Sequence, residues 1–160
     1  MAYKFTDPKA GLQDIAVTST VQNHPIGTRA HAYDSTYGEG EFIYLKGLAS
    51  TAVGETVIYD TYANTTKRAV AGDRGPAAVA MSANVANQYG WYQIAGSAVV
   101  KAGTVAAAGA CYLTATAGSL DDAVVSGDKI DGMRFKTADG TPSAGFAVAQ
   151  LARPSLNGNG

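Results

Sequence analysis

Cysteine is almost missing from this chain. Cys111 stands alone among 160 residues, which excludes an internal disulfide and any metal centre built on a cysteine cluster. An excess of charge of either sign is missing too. Lys and Arg number 12 against 13 Asp and Glu, a formal net charge of −1, and the signs alternate along the chain. Without a basic stripe there is no electrostatic footprint for a nucleic-acid partner. No apolar run approaches the ~20 residues that a membrane-spanning helix needs, and MAYKFTDPKAG lacks the apolar stretch of a secretory signal. A soluble protein assembled in a cytoplasm is expected, with no membrane and no nucleic-acid partner. Large side chains are scarce as well: four Phe, one Trp and three Met, within a 46% apolar fraction carried largely by small residues. Such a chain predicts thin layers with close backbone approach rather than a helical core.

What is present is organised around Tyr37 to Gly47, YGEGEFIYLKG. Glycines among acids break the chain, then Phe42, Ile43, Tyr44 and Leu45 run together, the pattern of a buried strand. Before this stretch, residues 1–36 show no sustained period. Asp7 to Gly11 suits one helical turn, with Pro8 at its first position. Residues 15–21 alternate weakly as an edge strand, 24–27 read as a turn, and 28–33 alternate again. With so little clustered apolar surface, residues 1–36 are expected to form an extended N-terminal arm that gains order on a neighbour.

From Phe42 onward short apolar runs alternate with turn residues. Candidate strands are 42–46, 56–62, 67–71, 77–81, 91–94, 98–102, 110–117, 122–125, 133–137 and 146–151, and only Ser82 to Gly90 reads as briefly helical. The fold class is mainly β: a small β-sandwich or barrel body over 37–155, with the arm before it and a loose tail at 156–160. The body is expected to fold without the arm. Phe42, Tyr44, Trp91 and Phe146 are its expected core anchors.

Sliding the body along itself by 55 residues aligns Lys46 with Lys101, Gly54 with Gly109, Gly72-Asp73 with Gly127-Asp128, and Gly90 with Gly145, the last pair each followed by an aromatic. The matches mark turns and strand starts, where few residue types serve. Two related β units, 42–96 and 97–151, are the reading, with the Gly-Asp pairs closing turns.

Catalytic chemistry finds little support. The two histidines, His24 and His31, precede Asp34 in the arm, but no Cys or Glu cluster joins them to hold a metal. A hydrolase around these three is one alternative; contact with a neighbouring chain is the expected role. Asp121 and Asp122, adjacent in an extended chain, point to opposite faces and share no substrate. No helix follows the Gly-Asp pairs to make a phosphate loop. Cys111 sits in an alternating apolar run as a small buried thiol. Trp91 with Tyr89 and Tyr92 is either a sugar-stacking platform or a core anchor. No catalytic residue, cofactor or metal ligand is assigned. The nine tyrosines suit contact surfaces, and Tyr3, Phe5, His24, His31, Tyr33 and Tyr37 are the expected interface.

Three stretches, GEFIYLKGLASTAVGETVIYD, GPAAVAMSANVANQYGWYQIAG and GDKIDGMRFKTADGTPSAGFAVAQLARPS, resemble the small β proteins that decorate bacteriophage capsids, the cement proteins. The resemblance runs from about residue 38 to 155. It implies a virion protein on the outer capsid surface, bridging neighbouring major capsid proteins and resisting internal genome pressure, often as a homo-oligomer and more as a trimer than a dimer. The competing reading is a tail- or fibre-associated adhesin that binds glycan through Trp91 and tyrosines.

Overall fold

The computed structural model describes residues 2–7, 11–82, 86–106 and 108–158. Among the described residues the chain is all β, with eleven strands in one antiparallel network and no helix. In order these are β1 (Lys4–Phe5), β2 (Arg29–Asp34), β3 (Gly38–Lys46), β4 (Thr56–Asp60), β5 (Thr65–Arg68), β6 (Gly75–Ala80), β7 (Tyr89–Lys101), β8 (Ala110–Leu113), β9 (Leu120–Asp121), β10 (Lys129–Phe135) and β11 (Phe146–Leu156).

The strands fall into two sets with one pairing pattern. In the first, hydrogen-bonded neighbours run β3-β7-β6-β4-β5; in the second they run β7-β11-β10-β8-β9. A shift of 55 residues carries β3 onto the C-terminal half of β7, then β4 onto β8, β5 onto β9, β6 onto β10, and the N-terminal half of β7 onto β11. Each set curls until its last strand reaches its first. Thr66 Oγ1 donates to the Lys46 carbonyl at 2.6 Å in the first set. At the corresponding seam of the second, Ala102 bridges Leu120, and the Gly103 N–H donates to the Leu120 carbonyl at 2.7 Å. The body is therefore two small five-stranded barrels in tandem, with β7 common to both. Of the sandwich and the barrel, the chain forms the barrel.

Where two strands were expected, at 91–94 and 98–102, the 13 residues of β7 run as one. Its N-terminal half pairs β3 and its C-terminal half pairs β11. The changeover falls at Gly96, whose φ is +92° and whose absent Cβ would stand 2.3 Å from the Glu39 carbonyl oxygen. Only glycine fits there.

The barrel interiors correspond position by position at the same offset. Ile43, Leu45, Tyr92 and Ile94 are buried in the first barrel, and Ala98, Val100, Ala147 and Ala149 in the second; Ala78 and Ala80 in the first become Met133 and Phe135. Large residues lie on β3 and β7 in one barrel and on β10 in the other. At corresponding positions large and small residues trade places, so each barrel is filled from different strands, a change that repacking tolerates.

The described part of residues 1–36 does not form a free arm. β1 and β2 add to the network beside β3, Ala30 and Ala32 are fully buried, and Ile15 is 3% exposed. The physical reason lies in the two faces of a strand. In β3 and β7 one face fills the first barrel, while the other carries Phe42, Tyr44 and Trp91. That second apolar face needs cover, and Tyr3, Phe5, Leu12, Ile15 and Ile26 supply it. The covering residues come mostly from loops, so they show no period. At the other end, Leu156 belongs to β11 and is buried, so it is no part of a loose tail, and residues 159–160 lie outside the described residues.

Several local expectations also change. Residues 15–21 make only a single bridge, Ser19 to Tyr89. Of the expected strand at 122–125 none forms, the neighbouring strand being β9. Gly90 is a residue of β7 rather than a helix stop, and residues 83–85 of that supposed helix lie outside the described residues, as do residues 8–10 of the supposed first turn.

Candidate interaction surfaces

Of the side chains expected at an interface, three turn inward. The Tyr3 ring meets Phe42 edge-on at 4.9 Å, and its hydroxyl donates to the Ser97 carbonyl at 2.8 Å; burial pushes its pKa up to about 12. Phe5 meets Trp91 edge-on at 5.6 Å. His24 packs edge-on against Tyr44 at 4.9 Å and lies 5.6 Å from Trp91, while its Nε2 accepts the Gln13 N–H. Trp91 itself is fully buried, with its Nε1–H donating 2.7 Å to the Gln13 carbonyl. A buried indole cannot stack on a sugar, so Trp91 is a core anchor, with Phe42 and Tyr44. Phe146 is only partly buried and lies over Gly54.

The other three stay nearer the surface. Strand β2 alternates strictly, with Arg29, His31 and Tyr33 outward and Ala30, Ala32 and Asp34 inward. His31 stands 3.7 Å from Asp7 across Nδ1 and Oδ1. Tyr37 is partly buried, and its N–H, with those of Ala2 and Thr36, donates to the Asp34 carboxylate. Asp34 therefore folds a turn and secures the N-terminal segment. His24, His31 and Asp34 each have separate structural partners.

Other candidate chemistry is likewise taken up by structure. Burial pushes the Cys111 thiol up to about 12, which leaves no thiolate at neutral pH. Asp121 accepts the Ala123 N–H and Asp122 the Ala106 N–H. Among the described residues no three His, Cys, Asp or Glu side chains group to hold a metal ion.

Two carboxylates that sequence reasoning passed over hold the barrels in place. Glu55, 1% exposed, receives Arg68 of β5 and Lys101 of β7, both at 2.8 Å. Burial works to raise its pKa, but Lys101, the Ala52 N–H and Arg68 outweigh it and the carboxyl titrates below its ordinary range. Glu41 of β3 takes three hydrogen bonds from Arg153 of β11, one from Nε and two from Nη2, near 3 Å, with Arg29 of β2 at 3.6 Å. Each acid ties segments far apart in the chain, a relation no local pattern records.

The outer surface is open rather than clefted. Its hollows among the described residues include a groove of about 500 Å³ between residues 2–4, 14–16 and Val53 with Met81, and a cleft of about 420 Å³ beside the β4–β5 hairpin. Among the described residues the most exposed large apolar side chains lie on loops: Tyr62 at 100%, Val124 at 81% and Val21 at 65%. Sequence reasoning does not single out Tyr62 as an exposed aromatic; the signal is its place between Asp60 and Asn64, two turn formers. The chain matches no protein-family model and no curated protein.

Proposed function

We propose that this protein is a structural component of a bacteriophage virion that decorates the outer capsid surface and stabilises it by bridging neighbouring major capsid proteins. The observation that carries the reading is the distribution of exposed groups: the most exposed large apolar side chains stand on loops of the double barrel, and strand β2 adds an outward row of Arg29, His31 and Tyr33. That surface suits many modest contacts repeated by symmetry, where multivalency supplies strength. An enzyme or a small-ligand carrier concentrates polar groups in one pocket instead. The resemblance over residues 38–155 points the same way. Partners are the major capsid protein and further copies of this chain. A glycan-binding adhesin loses the Trp91 platform on which it rested.

The test is co-sedimentation of the full chain with heads stripped of decoration, beside thermal release of packaged DNA. Saturable binding and a higher release temperature are expected. Absence of binding over the accessible concentration range would overturn the proposal.

A further inference from the structure

The tandem repeat has one internal junction. There the β8–β9 hairpin of the second barrel lies on the β5–β6 connection of the first. The Ala71 N–H donates to the Thr114 carbonyl at 2.9 Å, Gly118 N–H to the Ala69 carbonyl at 2.8 Å, and Thr56 N–H to the Gly118 carbonyl at 3.0 Å. Arg68 Nη2 adds 3.0 Å to the Ala117 carbonyl. The approach is close: a Cβ on Gly118 would stand 2.8 Å from the Glu55 Cβ. Under this cover Ala69 is fully buried.

A two-unit array leaves half a junction at each end. The counterpart of Ala69, 55 residues on, is Val124, and it is 81% exposed, with Val125 at 45%. The backbone there repeats the first unit: Asp73 N–H donates to the Val70 carbonyl at 3.0 Å and Asp128 N–H to the Val125 carbonyl at 3.2 Å. At the other end, the counterpart of the capping hairpin is the β4–β5 hairpin, where Tyr62 stands at the position of Ala117 and is 100% exposed. The two most exposed large apolar side chains of the described residues thus occupy the two open halves of one junction.

Their chemistry is complementary. Inside the chain, the long side chains of Arg68 and Glu55 meet the small Ala117 and Gly118. At the open ends the sizes reverse: Arg68 and Glu55 are replaced by Ala123 and Ala110, and Ala117 by Tyr62. A polar contact with the bulk on one side becomes an apolar contact with the bulk on the other. The tyrosine is also preorganised, since the Asp60 carboxylate accepts the Tyr62 and Ala63 N–H groups at 2.8 and 3.0 Å, which lowers the ordering cost of docking.

We propose that copies of this chain associate head to tail, the Tyr62 hairpin of one docking on the Val124–Val125 connection of the next. The contact is heterologous, so it builds a ring if the rotation closes and a filament if it does not. It needs no capsid, and its test is run without one. Tyr62→Asp and Val124→Asp change only exposed loop tips, and thermal melts matching the parent check that both fold. In sedimentation equilibrium the parent chain should self-associate, and each variant alone should do so at least about tenfold more weakly. Mixed, the two should form one-to-one dimers and stop there, because each retains the half that the other has lost. A parent chain that stays monomeric up to its solubility limit, either variant associating like the parent, or a mixture no more associated than its components would each overturn the proposal.

Discussion

The Gly72 N–H donates a 2.8 Å hydrogen bond to the carboxylate of Asp128. Asp128 is the repeat counterpart of Asp73, the residue that follows Gly72, so a turn of the first barrel is fastened by the matching turn of the second. Both turns carry glycine at positive φ, +90° at Gly72 and +84° at Gly127. The repeats are joined through their most similar parts, and Arg74, 3.7 Å from Asp128, lies at the same contact.

Valine at either glycine should cost about 1–3 kcal/mol, the strain of a β-branched residue held at positive φ. A Cβ at Gly72 meets nothing within 4 Å, and one at Gly127 meets the flexible end of the Arg74 side chain at 3.1 Å and the Gly158 carbonyl oxygen at 4.0 Å. The two costs should therefore be alike, and denaturant melts of Gly72→Val and Gly127→Val measure them. Unchanged stability in both would contradict the turn assignment.

Deletion of residues 1–36 should not leave a stable body. It removes the cover from Phe42, Tyr44 and Trp91, all fully buried in the intact chain. Trp91→Ala in the full chain should cost about 3–5 kcal/mol. The truncated chain should bind a hydrophobic dye and melt at lower temperature or without cooperativity. A truncated chain that melts like the parent would mean that the N-terminal segment contributes nothing to the core.

That segment marks the limit of what local sequence reveals. Strands β3, β4, β6, β10 and β11 follow from short apolar runs between turn residues, and the repeat follows from Gly72-Asp73 and Gly127-Asp128. The repeat is faint in the core because Tyr92 and Ile94 correspond to Ala147 and Ala149, while Ala80 corresponds to Phe135, so the bulk that fills each barrel comes from different strands. The cover over Trp91 is fainter still, since Leu12, Ile15 and Ile26 reach it from loops. Of the expected contact residues, His31 and Tyr33 face outward because β2 alternates, whereas Tyr3, Phe5 and His24 look alike in sequence and are drawn in by partners 11 to 94 residues away. Tyr62 and Val124 gain meaning only once the barrels are superposed by pairing.

Acid should release the Glu55 contact. Its folded pKa lies below the ordinary value of 4.5, so its contribution is fully present above about pH 4.5 and is lost as the pH falls through the lower folded value. Glu55→Gln should destabilise the protein near neutral pH, at the low end of the ~3–5 kcal/mol for breaking a buried pair, because Arg68 and Lys101 remain partly exposed. It should also flatten the loss of stability on acidification, leaving the part due to Asp34, whose pKa is also lowered: burial raises it, but the Ala2, Thr36 and Tyr37 N–H groups prevail. Chemical denaturation from pH 3 to pH 7 compares the slopes; equal slopes for parent and variant would remove Glu55 from the account.

Cys111 should resist alkylation in the native protein. It is fully buried, and its thiol is pushed up to about 12. Labelling should follow unfolding, so its rate should rise with denaturant along the unfolding curve. Rapid labelling in buffer would show that the second barrel opens readily.

The capsid reading is tested most directly by imaging stripped phage heads before and after addition of the full chain. The account predicts new density on the outer surface, repeated at symmetry-related positions across seams between major capsid proteins, each large enough for the double barrel. Heads that look identical with and without the protein, or density confined to the tail, would contradict it.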